Sequence, residues 1–438
     1  MSEKPIGVGM IGCGTVGGGV AELLRDEAEL YAQRAGRPIE LRRVLVRNPE
    51  RAAQNSGVDA SMITSDADAF FATEDMDVVI EVAGGAGVVA QYVRRSLEAG
   101  KHVITANKSL LAAQGHEMFG LAHEQGVSIA FEAACAGGIP CVTALQYGLM
   151  ANEIQGLWGI LNGTCNFILT AMTQEGKTYD EALSEAQAEG YAEADPTLDV
   201  SGADAAQKLA ILASLAFGAH VPESAVGCEG VDNLELRDIR LGQELGYDIK
   251  LLAIAKRLEG EASISVGVEP CFIHHDELLA KVTGAFNALS VYGHAVGHTL
   301  YYGAGAGRMP TASAVVSDLL NVASGWYPLA FSQMQLTPDR KGEAGIMDPE
   351  QLVSRFYLRL NVLDKPGTLA KITALLGDAN ISLSAVLQEE TDIGRAVPVV
   401  ITTHDAKRGD IVRAVNAIQK LDAVQGEPVV IRIAELPD

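Results

Sequence analysis

In the stretch GYAEADPTLDVSGADAAQKLAILASLAFG, Gly190 to Gly218, the carboxylates Glu193, Asp195, Asp199 and Asp204 precede a single lysine, Lys208. Asp204 and Lys208 are four residues apart and so share one helix face. An exposed pair at this spacing is worth a few tenths of a kcal/mol. This helix, however, carries Leu209, Ile211, Leu212, Leu215, Ala216 and Phe217, and a helix apolar nearly all round is buried. A buried ion pair adds little net stability, whereas one facing a cleft can tune a lysine into a proton carrier. The upstream carboxylates suit a substrate that bears an ammonium group, with a carbonyl or hydroxyl beside Lys208 as the reacting group. The other reading is a solvated acidic turn around Pro196. Asp199 and Ser201 are then turn formers, and Asp204 merely offsets the positive end of the helix dipole.

A second chemical signal lies near the start. Gly12-Cys13-Gly14-Thr15-Val16-Gly17 follows the apolar run IGVGMIG and opens a helical pattern. In that context GxGxxG is a dinucleotide fingerprint. Gly12 permits the tight turn, Gly14 leaves room for a pyrophosphate, and Gly17 allows close helix–sheet packing. The phosphates would sit on the free N–H groups at the helix start, including those of Thr15 and Val16. The next strand, LRRVLVR, ends in Arg47 rather than in a carboxylate. Arginine suits a 2′-phosphate, which favours NADP over NAD; a solvated arginine at a strand end is the alternative. Lys108, in ITANKSLL, lies past the carboxyl end of another strand, the edge where open α/β sheets bind ligands. It either reaches a nicotinamide or substrate or is a plain surface lysine.

The elements that must position these residues alternate. LRRVLVR, MDVVIEVAG, KHVITA and VSIAFEA read as strands, with helical stretches between them and a long helix from about Val16 to Arg34. That order predicts a Rossmann-type, parallel, doubly wound sheet over residues 1–140, completed by the helical segment at about 311–340. Residues 141–310 mix helices (YDEALSEAQAEG, ADAAQKLAILASLAF, GYDIKLLAIAKRLEG) with strands (SISVGVEPCFI, SVYGHAVGHTLYYG), an α+β catalytic and dimerisation domain. FSQMQLTPDRKGEAGIMDPE reads as a linker. Residues 353–438 then run strand, helix, strand, strand, helix, strand, a ferredoxin-like module. The fold class is α/β overall.

The bulk numbers agree with a globular chain. Of 438 residues, 48% are hydrophobic and 20% charged, ample for a core. The net charge of −23 argues against nucleic acid or an anionic membrane surface as partner. Six scattered cysteines without a CxxC pair read as reduced thiols. MSEKPIGVGMIGCG shows no secretory pattern, and runs such as LAILASLAF are too short to span a bilayer. The expectation is a cytoplasmic protein.

Taken together, GxGxxG, TANK, FEAACAGGIP, LNGTCNFI, GYAEADPTLDVSGADAAQKLAIL and GAGAGRMPTASAVVSD resemble the homoserine dehydrogenase family over residues 5 to 340. RLNVLDKPGTLAKI resembles an ACT domain, an amino-acid-sensing module. The resemblance implies NAD(P)H-dependent, reversible reduction of L-aspartate 4-semialdehyde to L-homoserine, in threonine, methionine and isoleucine biosynthesis. It implies Lys208 as proton donor, Lys108 at the carbonyl near the nicotinamide, and Glu193, Asp199 and Asp204 around the amino acid. Gly190 and the Gly303–Gly307 loop, with Gly305 at its centre, would lie against the cofactor. The family also places a monovalent cation, sodium or potassium, where this chain has Glu132 and the carbonyls of Cys135, Gly137 and Ile139. Cys135 stands where valine is frequent, a change a carbonyl ligand tolerates. In the terminal module the resemblance places an effector, L-threonine as first choice, at Asp364, Lys365, Pro366, Gly367 and Leu369, facing Asn380 and Ile381 of a neighbouring element. The alternative for this module is oligomerisation alone. A homo-oligomer, dimer or tetramer, is implied either way.

Two competing functions remain at this level. Aspartate-semialdehyde dehydrogenase chemistry needs a cysteine nucleophile, for which Cys135 and Cys165 are placed temptingly, but no histidine base motif accompanies them. A regulatory amino-acid-binding protein with a vestigial dehydrogenase body is the other, and the intact set of Lys108, Glu193, Asp204 and Lys208 argues against it.

Overall fold

The computed structural model describes residues 4–258, 263–333, 337–340, 342–388 and 396–437. In chain order the first elements are β1 (Ile6–Ile11), α1 (Thr15–Asp26), α2 (Ala28–Ala35), β2 (Ile39–Leu45), α3 (Pro49–Ser56), β3 (Ile63–Thr64) and α4 (Ala67–Phe71). They are followed by β4 (Val78–Glu81), α5 (Val88–Glu98), β5 (His102–Thr105), α6 (Lys108–Glu124), β6 (Ile129–Ala130) and α7 (Cys141–Thr143). The middle of the chain forms β7 (Ile154–Ile160), α8 (Gly163–Glu175), α9 (Tyr179–Ala188), α10 (Thr197–Val200), α11 (Ala203–Phe217), β8 (Gly227–Cys228) and α12 (Leu236–Glu244). Next come β9 (Tyr247–Arg257), β10 (Ser263–His274), β11 (Phe286–Gly293), β12 (Gly297–Ala304), α13 (Arg308–Ala323), α14 (Trp326–Gln333) and β13 (Gly345–Ile346). The last are β14 (Val353–Leu363), α15 (Thr368–Asp378), β15 (Leu383–Gln388), β16 (Ala396–Thr403), β17 (Ala406–Lys407), α16 (Arg408–Ile418) and β18 (Val424–Ile433).

The chain divides into two compact units. The first comprises Met1–Gly163, Asp204–Val226 and Phe286–Ala344. Its main sheet has the order β3-β2-β1-β4-β5-β6, and each neighbouring pair is parallel. β1 and β4 are buried at every residue, as expected of strands covered on both faces. The strand order reverses between β1 and β4, the switch point where such sheets hold ligands. Helix α13 packs on α1 through its glycines: a Cβ on Gly19 would stand 3.0 Å from Ala312 Cβ and from the Arg308 carbonyl oxygen. Arg308 and Glu22 pair at 2.6 Å across the same contact. A second, antiparallel sheet of this unit is formed by β7, β11 and β12.

The second unit comprises Thr164–Ala203, Gly227–Ala285 and Gly345–Asp438. Its sheet runs β9-β10-β18-β14-β16-β15. The terminal βαββαβ module contributes β18-β14-β16-β15, all antiparallel, with α15 and α16 on one face. Phe356, Leu358, Leu360 and Val362, alternate residues of β14, face those helices in one core with Ile372, Leu376, Ile411 and Ile418. On its other face β14 carries Arg359, 3% exposed, whose Nε donates to Asp238 Oδ1 of α12 at 2.6 Å and whose Nη2 donates to Oδ2 at 2.9 Å. Tyr357 donates its hydroxyl to the same carboxylate.

Four local expectations fail. SVYGHAVGHTLYYG, read as one strand, is a hairpin of β11 and β12 that turns at residues 294–296. GYDIKLLAIAKRLEG is strand β9, not a helix, over its described residues. Ile249 to Ala255 are all buried, and a strand buried on both faces has a continuous apolar run that periodicity cannot tell from a buried helix. The helix predicted from Val16 to Arg34 is two, α1 and α2, broken at Glu27 (φ −114°, ψ 22°). The strand VSIAFEA is reduced to Ile129–Ala130, because the chain then turns into a short 3₁₀ segment, Glu132–Ala134. The predicted strand ISLSAVLQEE is observed from Leu383 to Gln388; its final two residues lie outside the described set.

Candidate functional site

At the switch point of the first unit, the turn after β1 is built around Gly12, at φ +96°. A Cβ there would meet the backbone of Ala83 at 2.7 Å, so only glycine fits. A Cβ on Gly17 would stand 2.4 Å from the Gly12 oxygen, which lets α1 begin directly behind the turn. By contrast, a Cβ on Gly14 would meet nothing within 4 Å. Gly14 is the N-cap of α1 with no side-chain cap, and the first turn holds no acidic residue. The helix therefore presents uncapped N–H groups and the positive end of its dipole to open space, a cradle whose chemistry fits a dinucleotide pyrophosphate. Cys13 is buried within the loop, and burial raises its thiol pKa. Arg47 is exposed two residues past β2, on the edge where the Leu45 carbonyl accepts from Gly12 N–H.

The loop after β4 forms the other wall. Glu81, fully buried, accepts from Ala83 N–H (2.8 Å), Gly84 N–H (2.9 Å) and the Thr105 hydroxyl (2.7 Å). Asn107 caps α6 by accepting from Leu110 N–H and donates to the Gly85 carbonyl at 2.7 Å. An asparagine ahead of a helix is legible as a cap; Glu81 offered no comparable sequence signal. Lys108 is then the first residue of α6, where a cation opposes the helix dipole and needs a counter-charge.

Asp204 supplies it. Its Oδ1 lies 3.1 Å from Lys108 Nζ and its Oδ2 2.7 Å from Lys208 Nζ. Asn162 Nδ2 donates to Oδ2 at 2.9 Å. Asp204 is 7% exposed, Lys208 12% and Lys108 29%. Burial alone would raise the Asp204 carboxyl; the charges of Lys208 and Lys108, with the bonds from Lys208 and Asn162, outweigh it and hold the group down at about 2. Lys208 also donates to the Leu161 carbonyl at 2.7 Å. Two of its three N–H groups are thus assigned, and among the described residues the third has no acceptor. The structure brings Lys108, Asp204 and Lys208 together. Leu161 and Asn162, absent from the sequence-derived set, open the LNGTCNFI segment that was legible only through the resemblance.

Within the same unit Glu132 is buried. Its Oε1 accepts from Val142 N–H at 2.9 Å and its Oε2 from Thr143 N–H at 2.7 Å, while its own N–H donates to Asp318. Burial raises the Glu132 carboxyl against those bonds. The Cys135 carbonyl accepts from Cys141 Sγ at 3.4 Å. Gly138 N–H donates to the Ala304 carbonyl, and a Cβ on Gly137 would stand 2.6 Å from the Gly305 oxygen. The Gly303–Gly307 loop therefore packs on the Gly137–Ile139 turn. Burial pushes the Cys135 thiol up to about 12, which makes it a poor nucleophile.

The second unit holds the remaining candidates. Gly190, at φ +77°, ends the segment after α9. Glu193 is exposed, and its backbone carbonyl accepts from Gln187. Asp195 accepts from Thr197 N–H and hydroxyl, which lower its pKa; it is a turn former. The Thr164 hydroxyl lies 2.7 Å from the Tyr191 carbonyl and 3.3 Å from Asp199 Oδ2. Cys165 Sγ donates to the Asp199 carbonyl.

The effector candidates are not gathered within one chain. Asp364, Pro366 and Gly367 precede α15 and Leu369 is its second residue, 37% exposed, whereas Asn380 (φ +59°) follows its other end. Eleven residues separate the ends, about 16 Å of helix. Ile381 is 4% exposed, inside the core of the module. Within one chain the two groups therefore lie at opposite ends of α15.

Comparison with known proteins gives a consistent result. Residues 12–132 match the homoserine dehydrogenase NAD-binding domain, 140–320 the homoserine dehydrogenase family, and 356–423 the ACT domain. A homoserine dehydrogenase of Neisseria gonorrhoeae is 42% identical over 99% of this chain and 100% of its own. One from Pseudomonas aeruginosa is 43% identical, again over 99% and 100%. A homoserine dehydrogenase crystal structure from Thiobacillus denitrificans superposes with a TM-score of 0.93 at 43% identity, covering 99% of both chains. No helix of the described residues is long and apolar enough to cross a membrane. The chain belongs to the homoserine dehydrogenase family, NAD(P)-dependent oxidoreductases, and carries a C-terminal ACT domain.

Proposed function

We propose that this chain reduces L-aspartate 4-semialdehyde to L-homoserine reversibly, with NADPH preferred, and that Lys208 protonates the carbonyl oxygen. The carrying observation is the buried Asp204 carboxylate gripping Lys108 at 3.1 Å and Lys208 at 2.7 Å. When bound, the nicotinamide supplies the hydride that adds to the aldehyde carbon. The carbonyl π pair moves to oxygen, where Lys208 Nζ–H donates and then transfers its proton. Asp204 keeps the ammonium oriented, and Lys108 adds positive charge where negative charge develops. Glu193 takes the substrate ammonium and Asp199, fixed by Thr164, supports it. Gly12, Gly14, Thr15, Val16 and Gly17 hold the pyrophosphate, with Gly190 and Gly305 against the cofactor, and Arg47 meets a 2′-phosphate.

The same reading assigns a sodium or potassium ion to Glu132 and the carbonyls of Cys135, Gly137 and Ile139. A carboxylate oxygen that accepts one N–H keeps a lone pair for such a cation. L-threonine is the proposed feedback effector. A site made from both ends of α15 requires two copies, so Asp364, Pro366, Gly367 and Leu369 of one module meet Asn380 and Ile381 of another in a homodimer or tetramer.

The test is oxidation of NADPH, and separately of NADH, by wild-type protein and Arg47→Ala with L-aspartate 4-semialdehyde, with and without L-threonine. The expected results are rapid oxidation, inhibition by threonine, and a NADPH/NADH ratio that drops about tenfold in the variant, 1.4 kcal/mol. Folded protein without turnover overturns the catalytic reading.

A further inference from the structure

The strand β10 pairs along one edge with β9. Its opposite edge is tiled by three short partners: β13 at Ser263–Ile264, β8 at Gly267–Val268 and β18 at Cys271–Phe272. Such a broken edge leaves seams. Over the seam between β8 and β18 lies a cavity of about 170 Å³, lined among others by Cys228, Glu229, Glu269, Leu352, Arg408 and Arg432. By the space one water needs, this accommodates on the order of ten water-sized groups.

The charges there are two of each sign, Arg408 and Arg432 against Glu229 and Glu269. Arg408 Nη2 contacts both oxygens of Glu269, Oε1 at 2.7 Å. Arg432 Nη1 donates to the same Oε1 at 3.0 Å and its Nε to the Ser354 hydroxyl. Glu269 is 14% exposed and Arg432 13%. Two guanidiniums thus share the Glu269 carboxylate. Arg408 Nε is a buried donor without an acceptor among the described residues. Arg408 is also the first residue of α16, so the helix dipole adds to the positive potential on that side of the cavity. Opposite in sign, Glu229 stands exposed at the rim.

We propose that this cavity binds a small α-amino acid as its zwitterion, the carboxylate on Arg408 and Arg432 and the ammonium on Glu229. Paired guanidinium donors match a carboxylate, and eight heavy atoms, as in threonine, fit the volume. The site is distinct from both ends of α15.

It also has a route to the catalytic helix. Cys228 Sγ donates to the Ser201 carbonyl at 3.1 Å, and Val231 N–H to the Val200 carbonyl at 2.9 Å. A Cβ on Gly230 would stand 2.3 Å from the Val200 oxygen, so the rim is packed directly on the turn after α10. That turn leads straight into α11, which starts at Ala203 and carries Asp204. A ligand that binds one arrangement of the rim more tightly shifts the turn with it.

Cys228 provides the readout, since it is exposed while the other five cysteines are buried. The experiment follows iodoacetamide alkylation of Cys228 by mass spectrometry in full-length wild-type protein, titrated with L-threonine, L-serine, L-valine or L-isoleucine. At least one should slow alkylation fivefold or more. Its methyl ester and its des-amino analogue should give no protection, and Glu229→Gln or Arg432→Gln should abolish it. Calorimetry on the same samples, with Asp364→Asn beside them, distinguishes this site from the ends of α15. Binding that leaves Cys228 reactivity unchanged and is lost in Asp364→Asn overturns the proposal while preserving amino-acid regulation. Absence of protection by all four amino acids at millimolar concentration also overturns it. Turnover without amino acid tests the dehydrogenase reading separately.

Discussion

Replacing Asp204 by asparagine removes the one carboxylate that two lysines share. The Asp204 carboxyl, ordinarily at 3.8, is held at about 2, which corresponds to about 2–3 kcal/mol. The sign follows from the depressed value. The stabilisation is complete above the unfolded pKa of about 4 and is lost as pH falls through about 2. In Asp204→Asn, Lys208 (12% exposed) and Lys108 (29%) are left facing each other without a counter-ion. Removing one partner of a fully buried pair costs about 3–5 kcal/mol, and the exposure of Lys108 lowers this toward about 2–3. For a compact unit of roughly 250 residues, that is a fall in thermal midpoint of about 5–10 °C. The gap between wild type and variant should hold from about pH 8 to pH 5 and narrow below about pH 4. Because Lys208 loses its orientation, kcat should fall about 10²-fold with a smaller change in KM. Calorimetric scans across that pH range, with steady-state kinetics at pH 7.5, measure both. A variant with the wild-type midpoint and kcat would refute the reasoning.

Two further perturbations separate stability from binding. Gly14→Ala places a Cβ in open space at φ −85°, so the thermal midpoint should stay within about 1 °C, while KM for NADPH rises at least tenfold; an unchanged KM would remove the phosphate cradle from the account. Lys250, 5% exposed on β9 and donating to the Val282 carbonyl, has its pKa lowered by burial from 10.5 to about 8. The unfolded chain keeps that proton to higher pH, so wild type should gain about 3 kcal/mol relative to Lys250→Met between about pH 8 and pH 10.5. Parallel pH dependences in urea unfolding would contradict that assignment.

The legible parts of the fold were those governed by local rules. GxGxxG and the Asp204–Lys208 spacing each declare a short-range geometry, and both are present. The βαββαβ order of the terminal module was equally plain, because β14 alternates Phe356, Leu358, Leu360 and Val362 against polar neighbours. What stayed hidden depends on partners distant in sequence. Strand β9 looks helical until β10 is known to pair with it along its whole length. The carbonyl of Leu161 that orients Lys208 carries no side-chain signal. Gly19, outside the fingerprint, is explained only by α13 returning from residue 308 onward. Arg359 reads as a solvated strand residue, and only the fold reveals Asp238 beneath it. The acidic loop shows the limit in miniature: of four similar carboxylates, one is a turn former, one is exposed, one is tied to a threonine, and one holds both lysines.

The most direct test of the central claim is the steady-state reduction of L-aspartate 4-semialdehyde by Lys208→Ala, with thermal unfolding measured on the same preparation. The expected result is a folded enzyme whose kcat is lower by about 10²- to 10⁴-fold, with KM changed only a few-fold. A folded variant that turns over at near the wild-type rate would contradict it, and would move the proton donor away from Lys208.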